Sequence, residues 1–366
     1  MLINIKKSFF LVSLLIIALF SSCLDVNEIQ LENKEKSSFF SGSLDGDVGT
    51  LIHGWAVTGE STDTLQSDIL NDFEIDSDGN IFAVGSFSDS EEIGDFDLNY
   101  QGGIDGYLSK ISEKGIWLNA RTFSSMDDIS LDRISINSAG LIAIAGHFSG
   151  STMSCDDFSI ENKFEGGGYS DIFVATLDDD FNCLWLSSVG GEQDDSVEEL
   201  LIAGDGSVFL GGMIQDIVYF DTQGTDGLDE DGFICKFSNQ GEITWAHRIN
   251  GLNDQKVNTI FPQDDGSILV GGASDDNAEI DGGGENKSSS EAGFILKLNS
   301  DGSIVTLESI PGEILEIRKS SQNSDIFIGG SFSGMKNFGT INAQSSGYRD
   351  GFISKYIYPN TFSNFY

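Results

Sequence analysis

Between about residues 51 and 358, apolar and polar positions alternate in short runs, each broken by a polar turn carrying glycine. The run Asn80 to Phe87 is representative. Ile81, Ala83 and Gly85 face one side of a strand and Phe82, Val84 and Ser86 the other. Both sides are largely apolar, which predicts strands in a sheet sandwiched between two neighbours. The turns Asp78-Gly79, Asp205-Gly206 and Asp265-Gly266 are of the kind in which glycine readily takes positive φ and closes a hairpin. Beyond the first two dozen residues, no long stretch has an apolar period of 3.6, so the chain is expected to be all-β.

The same unit recurs five times. Strand-ending glycines fall at Gly85, Gly146, Gly212, Gly272 and Gly330, about sixty residues apart. An acidic-glycine-aromatic anchor stands at Asp105-Gly106-Tyr107, Asp231-Gly232-Phe233 and Asp350-Gly351-Phe352, with weaker copies at Asp171-Ile172-Phe173 and Ala292-Gly293-Phe294. A tryptophan closes the unit at Trp55, Trp117, Trp185 and Trp245, with Leu307 in the fourth copy. The recurring glycine predicts a bulge or a close backbone approach. The recurring Phe87, Phe148 and Phe332 predict packing between units. One unit cannot bury its own two faces, so copies must stack, and a ring removes exposed ends. The array opens on His53-Gly54-Trp55-Ala56, which reads as the last strand of a unit, and finishes one strand short at Tyr358. The expectation is a β-propeller of five four-stranded blades, closed by the Trp55 strand completing the last blade. An open array is the alternative and would leave two unpaired edges.

The start is a targeting segment. Lys6 and Lys7 precede an apolar run from Ser8 to Phe20, and Phe20-Ser21-Ser22-Cys23 resembles a lipobox, although Phe20 stands where leucine is commoner. The run is short for a membrane span. The resemblance implies cleavage after residue 22 and lipid attachment at Cys23; the plainer reading is an ordinary signal peptide or an uncleaved anchor. Residues 23–49 read as a polar, flexible tether, 50–358 as the propeller, and 359–366 as a tail. Removal of Lys6 and Lys7 with no acid takes the formal charge from −40 to about −42. Such a field excludes nucleic acid as a partner. It suits solubility, cations or basic partners, and acidic loops that do no more than solvate an exported surface account for it equally. Of the four cysteines, Cys155 and Cys183 share a repeat and could pair, while Cys235 lies within a strand as a small buried filler.

Catalytic chemistry is hard to find. The three histidines, His53, His147 and His247, have no recurring acidic neighbour and read as surface or inter-unit residues. The glycine clusters 166–168 and 282–284 lack the helix that a phosphate loop needs, and Gly330 to Gly334 is not a nucleophile elbow. Asp76-Ser77-Asp78-Gly79-Asn80 spaces oxygen ligands as calcium loops do, but lacks the downstream glutamate. Turn chemistry explains most of it. Asp229-Glu230-Asp231 and Asp178-Asp179-Asp180 are further acidic clusters. No cofactor is expected. If the first strand of each unit lines the axis, equivalent positions are Asp72, Arg133, Glu199, Thr259 and Ile317, where Asp72 and Glu199 could form an acid/base pair. Mixed charge is also the ordinary state of such a channel.

The segments Asp76 to Phe87, Gly102 to Lys110 and Gly115 to Trp117, with their counterparts, resemble the bacterial seven-bladed β-propeller repeat family. The resemblance covers nearly all of the chain past the tether and departs from the family in blade number. It implies an exported, often surface-attached bacterial protein, and it brings no catalytic residues. The function expected is non-enzymatic binding or scaffolding at a bacterial envelope, the outer membrane first, reached through the lipid anchor. A protein, peptide or glycan would be recognised through the loops Ser88 to Gly103, Gly150 to Gly168, Met213 to Asp229 and Ser274 to Glu291. A glycan-processing hydrolase using the channel carboxylates is the alternative.

Overall fold

The computed structural model describes residues 68–357 apart from 90, 164–168, 192, 216–229, 252–253, 275–278, 281–291, 322–323 and 340. Cys23, the tether, the Trp55 strand and the carboxyl-terminal tail lie outside the described residues. The chain divides into two units at residue 59, and everything described belongs to the second.

No helix occurs among the described residues. The first repeat gives β1 (Ile69–Ile75), β2 (Ile81–Phe87), the hairpin β3 (Glu91–Ile93) and β4 (Phe96–Leu98), then β5 (Asp105–Ile111) and β6 (Trp117–Phe123). The second gives β7 (Ile129–Ile136), β8 (Ile142–Phe148), the hairpin β9 (Thr152–Cys155) and β10 (Phe158–Glu161), β11 (Asp171–Leu177) and β12 (Cys183–Val189). The third gives β13 (Ser196–Ile202), β14 (Val208–Gln215), β15 (Glu230–Phe237) and β16 (Ile243–Asn250). The fourth gives β17 (Gln255–Pro262), β18 (Ile268–Ser274), β19 (Glu279–Ile280), β20 (Gly293–Leu298) and β21 (Ile304–Ile310). The fifth gives β22 (Glu313–Lys319), β23 (Ile326–Phe332), the hairpin β24 (Met335–Phe338) and β25 (Ile341–Gln344), and β26 (Asp350–Tyr356).

Each repeat is one antiparallel sheet. The orders are β1-β2-β5-β6, β7-β8-β11-β12, β13-β14-β15-β16, β17-β18-β20-β21 and β22-β23-β26. The short β19 returns to extend the third sheet beside β16. The fifth sheet is one strand short of the other four among the described residues, as the sequence predicts.

The repeated glycine has a definite task. In every sheet the first strand carries a bulge, at Asn71, Asp132, Glu198, Asn258 and Leu315. A Cβ on Gly85, Gly146, Gly212, Gly272 or Gly330 would fall within about 2 Å of a first-strand carbonyl oxygen, that of Ile69, Ser130, Ser196, Lys256 or Glu313. Only glycine lets the bulged strand come this near.

The core is a series of layers between consecutive sheets. Val84 and Leu108 pack on Ile134 and Ile144; Val174 on Val197 and Leu210; Phe209 and Ile234 on Val257 and Val270; Leu269 and Ile295 on Ile314 and Ile317. Each such side chain stabilises the stack by about 1.5–3 kcal/mol relative to exposure. Phe148 lies in the layer between the first two sheets, as expected, but the other two recurring phenylalanines do not pack between units. Phe87 packs under its own hairpin with Ile93 and Leu98, and Phe332 against Phe338 at 5.4 Å. The connection after the second strand folds back over the sheet end and covers a ring that would otherwise reach the neighbour.

The tryptophans lock successive repeats. A Cβ on Gly241 would meet Trp185 at 2.7 Å, and one on Gly302 would meet Trp245 at 2.6 Å, so each indole lies on the turn glycine of the following repeat. The first junction breaks this rule. Its turn position is Phe181, a non-glycine residue at φ 69°, whose ring meets Phe82. Trp117 instead lies against Gly94 of its own hairpin.

Candidate functional site

The bulged first strands bring polar side chains together. Register places Asp72 opposite Val84, Arg133 opposite Ala145, Glu199 opposite Gly211 and Thr259 opposite Gly271, as the sequence spacing predicts. The fifth member is Glu316, opposite Gly329, and not Ile317, which is buried in the core. The reason is local. The connection between the first two strands spans five residues in the first four repeats, as in 76–80, but six, 320–325, in the fifth. A constant spacing from the glycine therefore falls one residue late.

These side chains tie each first strand to the next. Asp72 accepts hydrogen bonds from the backbone N–H of Phe73 at 2.9 Å and of Ile134 at 3.1 Å. Arg133 donates through Nε to the Glu198 carbonyl at 2.7 Å, and Lys256 pairs with Glu198 at 2.7 Å. Thr259 donates to Glu316 at 3.4 Å, and Glu316 pairs with Arg318 at 2.6 Å. Burial pushes the Glu199 carboxyl up to about 7, and the charge of Glu316 adds to it. Burial also raises Asp72 and Glu74, the latter with help from Asp72. The carboxylate whose charge acts on Glu199 is Glu316; Asp72, its possible partner from the sequence, is not among the groups that shift it. A carboxyl half-protonated near neutrality is the kind of group that acid/base chemistry uses.

The other candidates are occupied by structure. Asp76 accepts from the N–H of Asp78 and Asn80, both at 2.8 Å, and from the Asn80 amide at 2.8 Å, which holds its carboxyl below the usual range. Asp178 does the same for Asp180 and Asn182. In both, the leading carboxylate caps its own turn. Among the described residues, no three acidic, histidine or cysteine side chains converge as a metal site. Asp229 lies outside the described residues, while Asp231 pairs with buried Arg248. His147 Nδ1 meets Asp132 at 2.7 Å; burial opposes its protonation, but the Asp132 bond and charge outweigh this and raise its pKa. Asn71 holds the equivalent place to Asp132 in the first sheet, so this pair is particular to the second. His247 meets the Gly302 carbonyl at 2.7 Å, across an inter-repeat junction. Cys155 and Cys183 form a disulfide, and Cys235 is buried with its thiol pushed up by desolvation.

Two buried acids at the loop end escaped the sequence reading. Burial raises Asp171 to about 6 and Asp195 to about 8, even though Lys163, Gly191 and Gln215 donate backbone N–H bonds to them. Asp171 was visible as an anchor residue; nothing in the sequence set Asp195 apart from other loop acids.

No family model matches the chain, and no curated protein does. Solved structures give distant likenesses. One is a protein of unknown function from Bacteroides caccae, with 10% identity over 65% of this chain and 69% of the other, at a TM-score of 0.34. Another is a GH43 β-1,3-galactosidase bound to galactodeoxynojirimycin, with 10% identity over 72% and 90%, at 0.34. A third is a putative exo-β-1,3-galactanase from Bifidobacterium bifidum s17, with 11% identity over 80% and 91%, at 0.33. Likeness at this level carries no argument about the site.

Proposed function

We propose that the protein is a non-enzymatic binding or scaffold protein of a bacterial envelope, held by lipid on Cys23, whose partner is recognised by the connections at one end of the sheets. The observation that carries this reading is the contrast within the first, second and fifth repeats. The sheets keep one register, while the connections after the second strands are unlike in sequence and fold as added hairpins, β3-β4, β9-β10 and β24-β25. Variable loops on a constant frame suit recognition. The disulfide between β9 and β12 stiffens one of them and fits an oxidising compartment.

The same reading takes the frame to be a five-bladed propeller whose last blade is completed by the strand around Trp55. The three-stranded fifth sheet supports this, as do the exposed apolar residues Ile353 and Ile357 at its edge. The acidic surface favours a basic or neutral partner and excludes nucleic acid. Mass analysis of the mature amino terminus tests the anchor: a diacylglyceryl-modified Cys23 is expected, and an unmodified terminus refutes it. For recognition, the purified domain is probed on a glycan and envelope-peptide array. Replacing residues 91–98 with a Gly-Ser linker should abolish or redirect the signal, and an unchanged profile contradicts the reading.

The Glu199 carboxyl, raised to about 7 by burial with a contribution from the charge of Glu316, favours a second reading, glycan hydrolysis with Glu199 as proton donor. Turnover of aryl glycosides lost in both Glu199→Gln and Glu316→Gln would establish it; no turnover by the intact protein removes it.

A further inference from the structure

A cleft of about 510 Å³ lies where the third and fourth sheets meet, at the end opposite the variable connections. Its wall is Trp245. The half-buried indole is fixed in place: its N–H donates to the Ser300 carbonyl at 3.3 Å, it rests on Gly302, and the tilted rings of Phe209 and His247 lie at 5.9 and 5.6 Å. The rim carries the turn acids Asp205 and Asp301. Each uses Oδ1 on its own turn, binding the N–H and hydroxyl of Ser207 and of Ser303, which holds both carboxyls ionised. Among the described residues, neither Oδ2 has a hydrogen bond.

Lys236 is the fourth element. It belongs to a repeated position, and its equivalents Lys110, Lys297 and Lys355 each pair with a turn acid, Asp179, Asp265 and Asp325. Lys236 alone among these four has no ion pair within 4.0 Å among the described residues; its ammonium lies over the Phe209 ring, 5.0 Å from its centre, and its charge helps to hold the Asp205 carboxyl low from across the cleft. The Asn239 amide lines the same space without a described partner. A fixed aromatic ring is therefore surrounded by two carboxylate oxygens without a hydrogen bond among the described residues, an ammonium and an amide. That set asks for a ligand with an apolar face and a rim of groups that both donate and accept hydrogen bonds. A simple cation would meet Lys236, and a simple anion would meet Asp205 and Asp301.

We propose that this cleft binds a neutral sugar ring of a glycan, stacked on Trp245 and hydrogen-bonded by Asp205, Asp301, Lys236 and Asn239. The site is independent of the loop-end reading, since it lies at the other end of the sheets.

The test titrates the full chain with cellotriose, maltotriose, mannotriose and chitotriose, read by saturation-transfer NMR and by the Trp245 indole N–H resonance, assigned with Trp245→Phe. At least one trisaccharide should shift that resonance with a Kd of about 0.1–10 mM, the weak range of a small open site. Asp205→Asn and Asp301→Asn keep the turn acceptor and should weaken binding about five-fold or more each, as expected when a charged hydrogen bond is lost. Tyr356→Ala, in a separate cleft lined by Gln263, Lys297, Asp325 and Lys355, should leave it unchanged. The proposal is overturned if no trisaccharide moves the Trp245 resonance, if spermidine moves it and no sugar does, or if both asparagine variants bind as the unaltered protein does.

Discussion

In the second sheet, β8 and β11 are buried along almost their whole length: Ile142, Ala143, Ile144 and Ala145 have no exposure, nor do Ile172, Phe173, Val174 and Ala175. In the fifth sheet, β26 alternates between half-buried and exposed, with Ile353 at 82%. β1 shows the same trait at the other end of the array, where Ile69, Phe73 and Ile75 are all about half exposed. The two kinds of strand share one pattern and one register. What differs is the neighbour. Burial here is a property of the stack, and strands at its ends keep an apolar face that their own repeat cannot cover.

The largest break in that comparison comes from deleting residues 51–58. Under the proposed closure, β26 loses its fourth strand, and the melting temperature should fall by more than about 10 °C, several kcal/mol for a domain of this size; an unchanged melt rejects the strand exchange. Next comes the repeated glycine. Gly146→Ala places a Cβ on the Ser130 carbonyl inside a fully buried sheet and should cost about 3 kcal/mol or more in urea unfolding. Gly330→Ala makes the same clash against Glu313 in the end sheet, where the strand can yield, and should cost clearly less. Equal losses would show that the fifth sheet is as tightly held as the second.

The disulfide sharpens the comparison from the other side, because only the second repeat has one. Replacing both Cys155 and Cys183 with serine should cost about 2–4 kcal/mol, read as a lowered urea midpoint, with no change in the protection of β22, β23 and β26 amides. The smallest effect belongs to Glu199. Its folded pKa, about 7, lies above its ordinary value, so the folded state holds a proton that the unfolded state releases between about pH 4.5 and 7. The contribution of this group to stability therefore falls as pH rises through that window. Glu199→Gln should match the unaltered protein at pH 4 and exceed it by about 1–2 kcal/mol at pH 8.

Much of this architecture was legible because it is repeated. Gly85, Gly146, Gly212, Gly272 and Gly330 announced a close approach, and the structure places each against a first-strand carbonyl. Cys155 and Cys183 could be paired on proximity in one repeat. What repetition hides is deviation. Glu316 was missed because one extra residue in the 320–325 connection shifts the count, and no side chain there advertises it. Phe181 was missed as a turn residue because glycine is the usual occupant of a positive φ; here the residue at φ 69° packs its ring on Phe82. The absence of a close ion pair at Lys236 is invisible in sequence, since its three equivalents with one sit in the same motif.

The central claim, that the end sheet is completed by the chain's own Trp55 strand, is tested most directly by amide hydrogen exchange along β26 in the full-length protein. Alternate N–H groups of Asp350 to Tyr356 bond inward to β23, and the rest point to the open edge. The account predicts that both sets exchange slowly and that deleting residues 51–58 frees only the outward set. Outward amides that exchange at the rate of solvent-exposed backbone in the intact chain would contradict it.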